Sequence, residues 1–125
     1  MRIRAAFLTL FIAILLAPLS CASVSAPRPP ASMFETKWTA LKDAIRAGNI
    51  PLALEQILTS RRTHYQEAFK QMTTTTPDLG EIHFVKNVSP IEIEYHTLVV
   101  ENGFPYSYPV IFGKDTDGEW RIETF

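Results

Sequence analysis

Residues 91–112 read Ile91-Glu92-Ile93-Glu94-Tyr95-His96-Thr97-Leu98-Val99-Val100-Glu101-Asn102-Gly103-Phe104-Pro105-Tyr106-Ser107-Tyr108-Pro109-Val110-Ile111-Phe112. Asn-Gly is the dipeptide best suited to a two-residue type I′ hairpin turn, because both central residues need a positive φ. Such a turn fixes a register. Closing it with Glu101 against Phe104 sets Val99 opposite Tyr106, Thr97 opposite Tyr108, Tyr95 opposite Val110 and Ile93 opposite Phe112. One face of the hairpin is then apolar along its length, and a slip of one residue would turn that face outward.

Working outward from this hairpin gives the rest of the sheet. Thr116-Asp117-Gly118 suits a three-residue loop with glycine in the left-handed position. That loop pairs Phe112 with Ile122 and Val110 with Thr124, and it keeps Trp120 on the apolar face. Upstream, Glu81 to Lys86 is predicted as a first strand and Asn87 to Pro90 as its turn. Pairing Lys86 with Ile91 would set His83 opposite Glu94 and Glu81 opposite His96. The expected sheet is a four-stranded antiparallel meander.

Before Gly80 the apolar period is about 3.6 rather than 2. Phe34, Trp38, Leu41 and Ile45 form one helical stripe, and Ser32 and Glu35 have the spacing of a capping box at its start. Gly48 can end that helix and Asn49 can cap the next, where Pro51 is tolerated in the first turn. Leu54, Ile57 and Leu58 carry a second stripe, and Tyr65, Phe69 and Met72 mark a third segment or a continuation. Four threonines, Thr73 to Thr76, precede Pro77 and should stop it, since β-branched residues and the position before proline disfavour helix. The fold class expected is α+β, with two or three N-terminal helices packed on one face of a curved four-stranded antiparallel sheet.

The N-terminal third says where such a domain would work. Arg2 and Arg4 lead an apolar run from Ala5 to Leu16, followed by Ala17-Pro18-Leu19-Ser20-Cys21-Ala22. A basic start, a short apolar core and small residues after it read as an export signal over residues 1–22. Two fates are open. Cleavage after Ala22 would use Ser20 and Ala22 as the small residues, whereas Leu19-Ser20-Cys21 resembles a lipoprotein acylation site with Pro18 in place of the usual aliphatic residue. Cys21 is the single cysteine, so no internal disulfide braces the fold. Residues 23–33, rich in proline and small side chains, read as an extended tether, and residues 34–125 as one domain.

Without Arg2 and Arg4, ten basic residues face thirteen acidic ones, a formal charge of −3. Nucleic acid needs a clustered basic surface, and Arg61-Arg62 is an isolated doublet, so that partner class is excluded. A membrane is met only through the signal or a lipid anchor.

Several stretches resemble small exported bacterial domains of the nuclear transport factor 2-like superfamily. They are the Ala44-x-x-Ala47-Gly48-Asn49-Ile50-x-x-Ala53 corner, the run from Arg61 and Arg62 to Tyr65 and Phe69, Tyr106 to Phe112, and Asp117-Gly118-Glu119-Trp120-Arg121-Ile122. The resemblance covers nearly all of Phe34 to Phe125. It implies a cone of helices against a curved sheet, a scaffold that hosts enzymes, ligand binders and interaction modules alike.

Candidate chemistry is sparse. Trp38, Tyr65, Tyr95, Tyr106, Tyr108 and Trp120 would line a cleft between helices and sheet, with Arg61 and Arg62 at its rim favouring an anionic ligand. The competing reading makes these aromatics core and the arginines a solvated helix start. His64 and Glu67 have the spacing of a helix surface pair. His83, His96 and the carboxylates Glu92, Glu94 and Glu123 are placed on the outward face, where no metal motif is formed and carboxylate pKa values would be ordinary. No nucleophile motif or phosphate loop is present, and no cofactor or metal is expected. Leu98, Val100, Ile111 and Phe125 are also placed on the outward face, as a surface for a second copy or an envelope protein. Together these features point to an exported binding or protein-interaction module of the bacterial cell envelope rather than a catalyst. The alternative is a small pocket enzyme or ligand carrier on the same cone.

Overall fold

The structure is a computed structural model that describes residues 28–72 and 78–125. The expected signal, the cleavage and acylation choices at Cys21 and Ala22, and the threonine run lie outside the described residues. Three helices come first: α1 (Ala31–Arg46), α2 (Ile50–Glu55) and α3 (Arg62–Met72), with a 3-10 turn at Thr59–Arg61. Four strands follow, β1 (Ile82–Ser89), β2 (Glu92–Glu101), β3 (Phe104–Lys114) and β4 (Trp120–Thr124), in one antiparallel sheet of order β1-β2-β3-β4. The expected α+β class and helix-then-sheet order are what the chain adopts.

Asn102 and Gly103 take φ of 53° and 82°, the left-handed pair that a type I′ turn requires. The register that follows is the one expected from Glu101 opposite Phe104 back to Ile93 opposite Phe112. Elsewhere the register departs from a simple alternation. β1 is irregular between Phe84 and Lys86 and again between Asn87 and Ser89, so Lys86 opposes Glu94 and His83 opposes His96. The expected pairs Lys86 with Ile91, His83 with Glu94 and Glu81 with His96 are therefore corrected. The strand runs on to Ser89, and Glu81 lies before it. A bulge inserts a residue that no two-residue period announces, and it also twists the edge away from further pairing. A third irregularity, between Ile111 and Phe112, sets Thr124 opposite Ile111 instead of Val110.

That last shift turns the end of β4. Phe125 does not join the outward face; its ring stacks on Tyr65 at 5.1 Å and meets Trp38 edge-on at 5.6 Å. Around it the core assembles on the α1 stripe, whereas Ile57 and Leu58, expected in a second helical stripe, lie beyond the end of α2 and Ile57 bridges to Ile122 instead. Phe34 contacts Tyr95, Phe112 and Trp120 at 5.4, 4.9 and 5.5 Å, and Trp38, Leu41 and Ile45 continue the buried line of α1. The α1–α2 corner forms as expected, with Gly48 at φ 68° and the Asn49 side chain accepting from Leu52 N. The capping box does not form. Helix α1 starts at Ala31 with Pro30 in the N-cap position, two residues before a cap at Ser32, and with no side-chain cap.

Two contacts hold the layers together. Leu58 N donates to Ile122 O and Ile122 N to Gln56 O, both at 2.8 Å, so the segment after α2 closes the outer edge of β4. The segment before β1 is fixed through Gly80, whose carbonyl accepts from Trp38 Nε1 at 2.8 Å and Lys42 Nζ at 3.3 Å. Lys42 is only 6% exposed, and its ion pair with Glu81 at 3.0 Å accounts for the buried charge.

Candidate functional site

The expected cleft aromatics separate into two groups. Trp38, Tyr65, Tyr95 and Trp120 are buried among one another's neighbours in the core. Tyr65 Oη accepts from Phe125 N at 3.0 Å, and burial pushes its hydroxyl pKa up. Tyr95 Oη and Thr97 Oγ1, two residues apart on the helix-facing side of β2, are buried with no hydrogen-bond partner. The charge of Arg61 reaches Tyr65, but the polar partners of both arginines lie elsewhere. Arg61 lies 3.8 Å from Glu123, and Arg62 Nε donates to Ile57 O at 3.2 Å, which ties the start of α3 to the segment beside β4. His64 meets Tyr65 edge-on, while Glu67 pairs with Lys70 at 2.7 Å.

Tyr106 and Tyr108 stand on the same face as the core, as the register demanded, yet both are exposed. The reason is length. The 11 residues of β3 extend about 36 Å, whereas the 16 residues of α1 extend about 24 Å. The hairpin therefore runs out from under the helices. Its helix-side surface shows Phe104 at 66% and Tyr106 at 47% exposure, and its other surface shows Val100 at 63% with Leu98 beside it. Ile111 lies further back and is half-buried. Tyr108 Oη donates to Glu101 at 3.2 Å, and desolvation followed by that carboxylate raises its pKa. No lysine or arginine occurs between Lys86 and Lys114, so this hairpin carries no permanently cationic side chain.

The outward face of β2, where the sequence pattern placed His96 and Glu94, holds a polar cluster that also takes in Lys86 and Ser107. His96 Nε2 lies 2.7 Å from Glu94 Oε1, His96 Nδ1 lies 3.0 Å from Ser107 Oγ, and Lys86 Nζ lies 3.4 Å from the second oxygen of Glu94. The His96 hydrogen bond holds the Glu94 carboxyl below its usual range, so this pKa is not the ordinary one expected. The bulges in β1 bring Lys86 opposite Glu94, and an alternating pattern gives no signal for that. Among the described residues, no group of three or more His, Cys, Asp or Glu side chains is arranged to hold a metal ion.

A third cluster is structural. Asp115 Oδ2 accepts from Thr59 N at 2.9 Å, Thr59 Oγ1 at 2.7 Å and Arg121 Nη1 at 2.9 Å, and Arg121 also grips Asp117 with two bonds of 2.8 Å. These donors, Thr59 first, hold the Asp115 carboxyl far below the usual carboxylate range. Among the described residues, no helix is long and apolar enough to cross a membrane. Compared with known proteins, the chain matches no family model, no curated protein and no solved structure.

Proposed function

We propose that this chain is an exported binding module of the bacterial cell envelope that docks on a protein partner through the projecting end of the β2–β3 hairpin. The observation that carries the reading is the apolar surface on both sides of that end, from Leu98 and Val100 on one face to Phe104, Tyr106 and Tyr108 on the other. Exposed apolar groups gathered in one place are costly in water and favour a partner that removes them from it. Trp38, Tyr65, Tyr95 and Trp120 are engaged in core contacts instead of converging on a site, which supports docking over a ligand carrier or pocket enzyme. The superfamily resemblance is compatible with this role, because that scaffold serves interaction as readily as catalysis. Export rests on residues 1–22, and mass analysis of the mature N-terminus separates acylated Cys21 from cleavage after Ala22.

The docking test places a photo-reactive benzophenone amino acid at Phe104 in cells that export the protein. A control carries it at Glu119, an exposed position in the β3–β4 turn. Docking gives one discrete adduct from position 104 that is absent from position 119. Equal or absent crosslinking at the two positions overturns the reading.

A further inference from the structure

We propose that Ser107 is a nucleophile toward neutral carboxylic esters, with His96 as its base and Glu94 as the group that positions the base. This goes beyond the docking role and does not depend on it.

The proton positions follow from the partners. Ionised Glu94 can only accept, so His96 Nε2, 2.7 Å away, carries the hydrogen of that bond. A neutral imidazole with its proton on Nε2 has a bare Nδ1, which accepts from Ser107 Oγ–H at 3.0 Å. Lys86, at 3.4 Å from the other Glu94 oxygen, holds the carboxylate in place. Nucleophile, base and orienting carboxylate thus stand in the order that activates a hydroxyl. Sheet geometry supplies the placement: Glu94 and His96 are two apart on one face of β2, and Ser107, opposite Leu98, is the diagonal neighbour of His96 on β3.

The backbone contributes a donor. In a two-residue hairpin the residues flanking the turn exchange both ladder bonds, so Phe104, Tyr106, Tyr108 and Val110 bond to β2, while residues 105, 107 and 109 direct their backbone groups to the other side. On that side β4 reaches only as far as Ile111. Residues 105 and 109 are prolines without an N–H, which leaves Ser107 N as the one amide on this open edge. It belongs to the nucleophile itself, where charge on an attacked carbonyl oxygen would need a donor.

The surroundings select the substrate class. Leu98 faces Ser107 across the pair, and Val100 and Pro105 oppose each other beyond it, so an acyl chain has an apolar strip to lie on. Lys86 is engaged with Glu94, and no further lysine or arginine occurs before Lys114, so the apolar strip itself offers an anionic ester no cation. In the reaction Ser107 Oγ attacks the carbonyl carbon and its proton passes to His96 Nδ1. The bond to the alcohol oxygen then breaks, and the departing alcohol takes that proton. Water then attacks the acyl carbon as Nδ1 takes its proton, the bond from that carbon to Ser107 Oγ breaks to release the acid, and the proton passes from Nδ1 to Oγ.

The site is open to water on a sheet surface, so the expected gain is that of general-base assistance, roughly 10²–10⁴-fold. The readout is therefore acylation of Ser107 rather than rapid turnover. The full-length mature protein is incubated with 4-nitrophenyl butyrate and the adduct mapped by peptide mass spectrometry. The expected result is a butyryl group on Ser107 that is absent in Ser107→Ala and forms at least about 10-fold more slowly in His96→Gln. Glu94→Gln, which removes the charge but keeps the shape, should also slow it. All three side chains lie on the outer sheet face, and an unchanged denaturation midpoint shows that each variant is folded. Adducts confined to lysines or tyrosines, or a Ser107 adduct that forms at the same rate in both His96→Gln and Glu94→Gln, overturn the proposal.

Discussion

Replacing Asp115 by alanine removes the carboxylate that ties the helical layer to the last hairpin. One oxygen, Oδ2, accepts from the Thr59 amide, the Thr59 hydroxyl and Arg121, at 2.9, 2.7 and 2.9 Å. Hydrogen bonds to a charged group contribute about 1.5–3 kcal/mol each, but the three share one oxygen, and Thr59 is exposed enough for water to replace part of the loss. A net cost of about 2–3 kcal/mol is expected, which for a domain of this size is a fall in melting temperature of roughly 10–20 °C. Urea denaturation followed by far-UV circular dichroism measures it, and Asp115→Asn separates charge from shape. The dependence on pH has a definite sign. The folded carboxyl titrates below its unfolded value, so its contribution is fully present above about pH 4 and is lost as pH falls through the folded pKa. The stability gap between wild type and Asp115→Asn should therefore be constant near neutrality and shrink in acid. A gap under about 1 kcal/mol near pH 7, or one that widens on acidification, would refute the reasoning.

Three further outcomes are expected. A β-carbon at Gly80 would stand 2.6 Å from the Leu98 carbonyl oxygen, so Gly80→Ala must displace backbone that also receives Trp38 and Lys42; a loss of about 1–3 kcal/mol in urea denaturation is expected. Phe125→Ala removes a ring that stacks on Tyr65 and meets Trp38, and because the site is half-buried the cost should be about 2–3 kcal/mol, below the full core value, with loss of near-UV dichroism. Tyr95→Phe and Thr97→Val delete hydroxyls that have no partner, so each should be neutral or stabilising by up to about 1 kcal/mol, and a clear destabilisation would show that the hydroxyl is engaged.

How far the sequence discloses this molecule depends on whether a feature is periodic. Asn102-Gly103 and the two-residue alternation around it determine the β2–β3 pairing completely, because the turn admits one closure and one face must be apolar. The stripe from Phe34 to Ile45 is equally legible, since four apolar side chains at helical spacing have one way to be covered. Val85 and Val88 are not legible as the residues at the β1 irregularities. They are β-branched, as regularly paired strand residues often are, and what marks a bulge is the fit to a neighbouring strand. The same is true at Ile111, where a single shift turns Phe125 from the outward face into the core. The capping residues at Ser32 and Glu35 were a local signal that the chain overrode by starting α1 at Ala31.

The candidate surfaces divide along the same line. Alternation placed Tyr106 and Tyr108 on the helix-facing side, but whether that side is covered depends on element lengths, and strands gain more than twice the rise per residue of a helix. Here the 10- and 11-residue central strands are longer than the 16-residue α1, and the far end of the hairpin is bare. That surplus could have been read from residue counts alone. The Ser107–His96–Glu94 cluster is different in kind, because it needs a diagonal contact across the β2–β3 pair and a Lys86 positioned by a bulge. Its three residues are spread over 14 positions of sequence and match no spacing motif. The open edge of β3 between Pro105 and Pro109 is what joins the two surfaces. Prolines there deny pairing to another chain, which keeps a long apolar hairpin from aggregating, and in doing so they leave one amide exposed at Ser107.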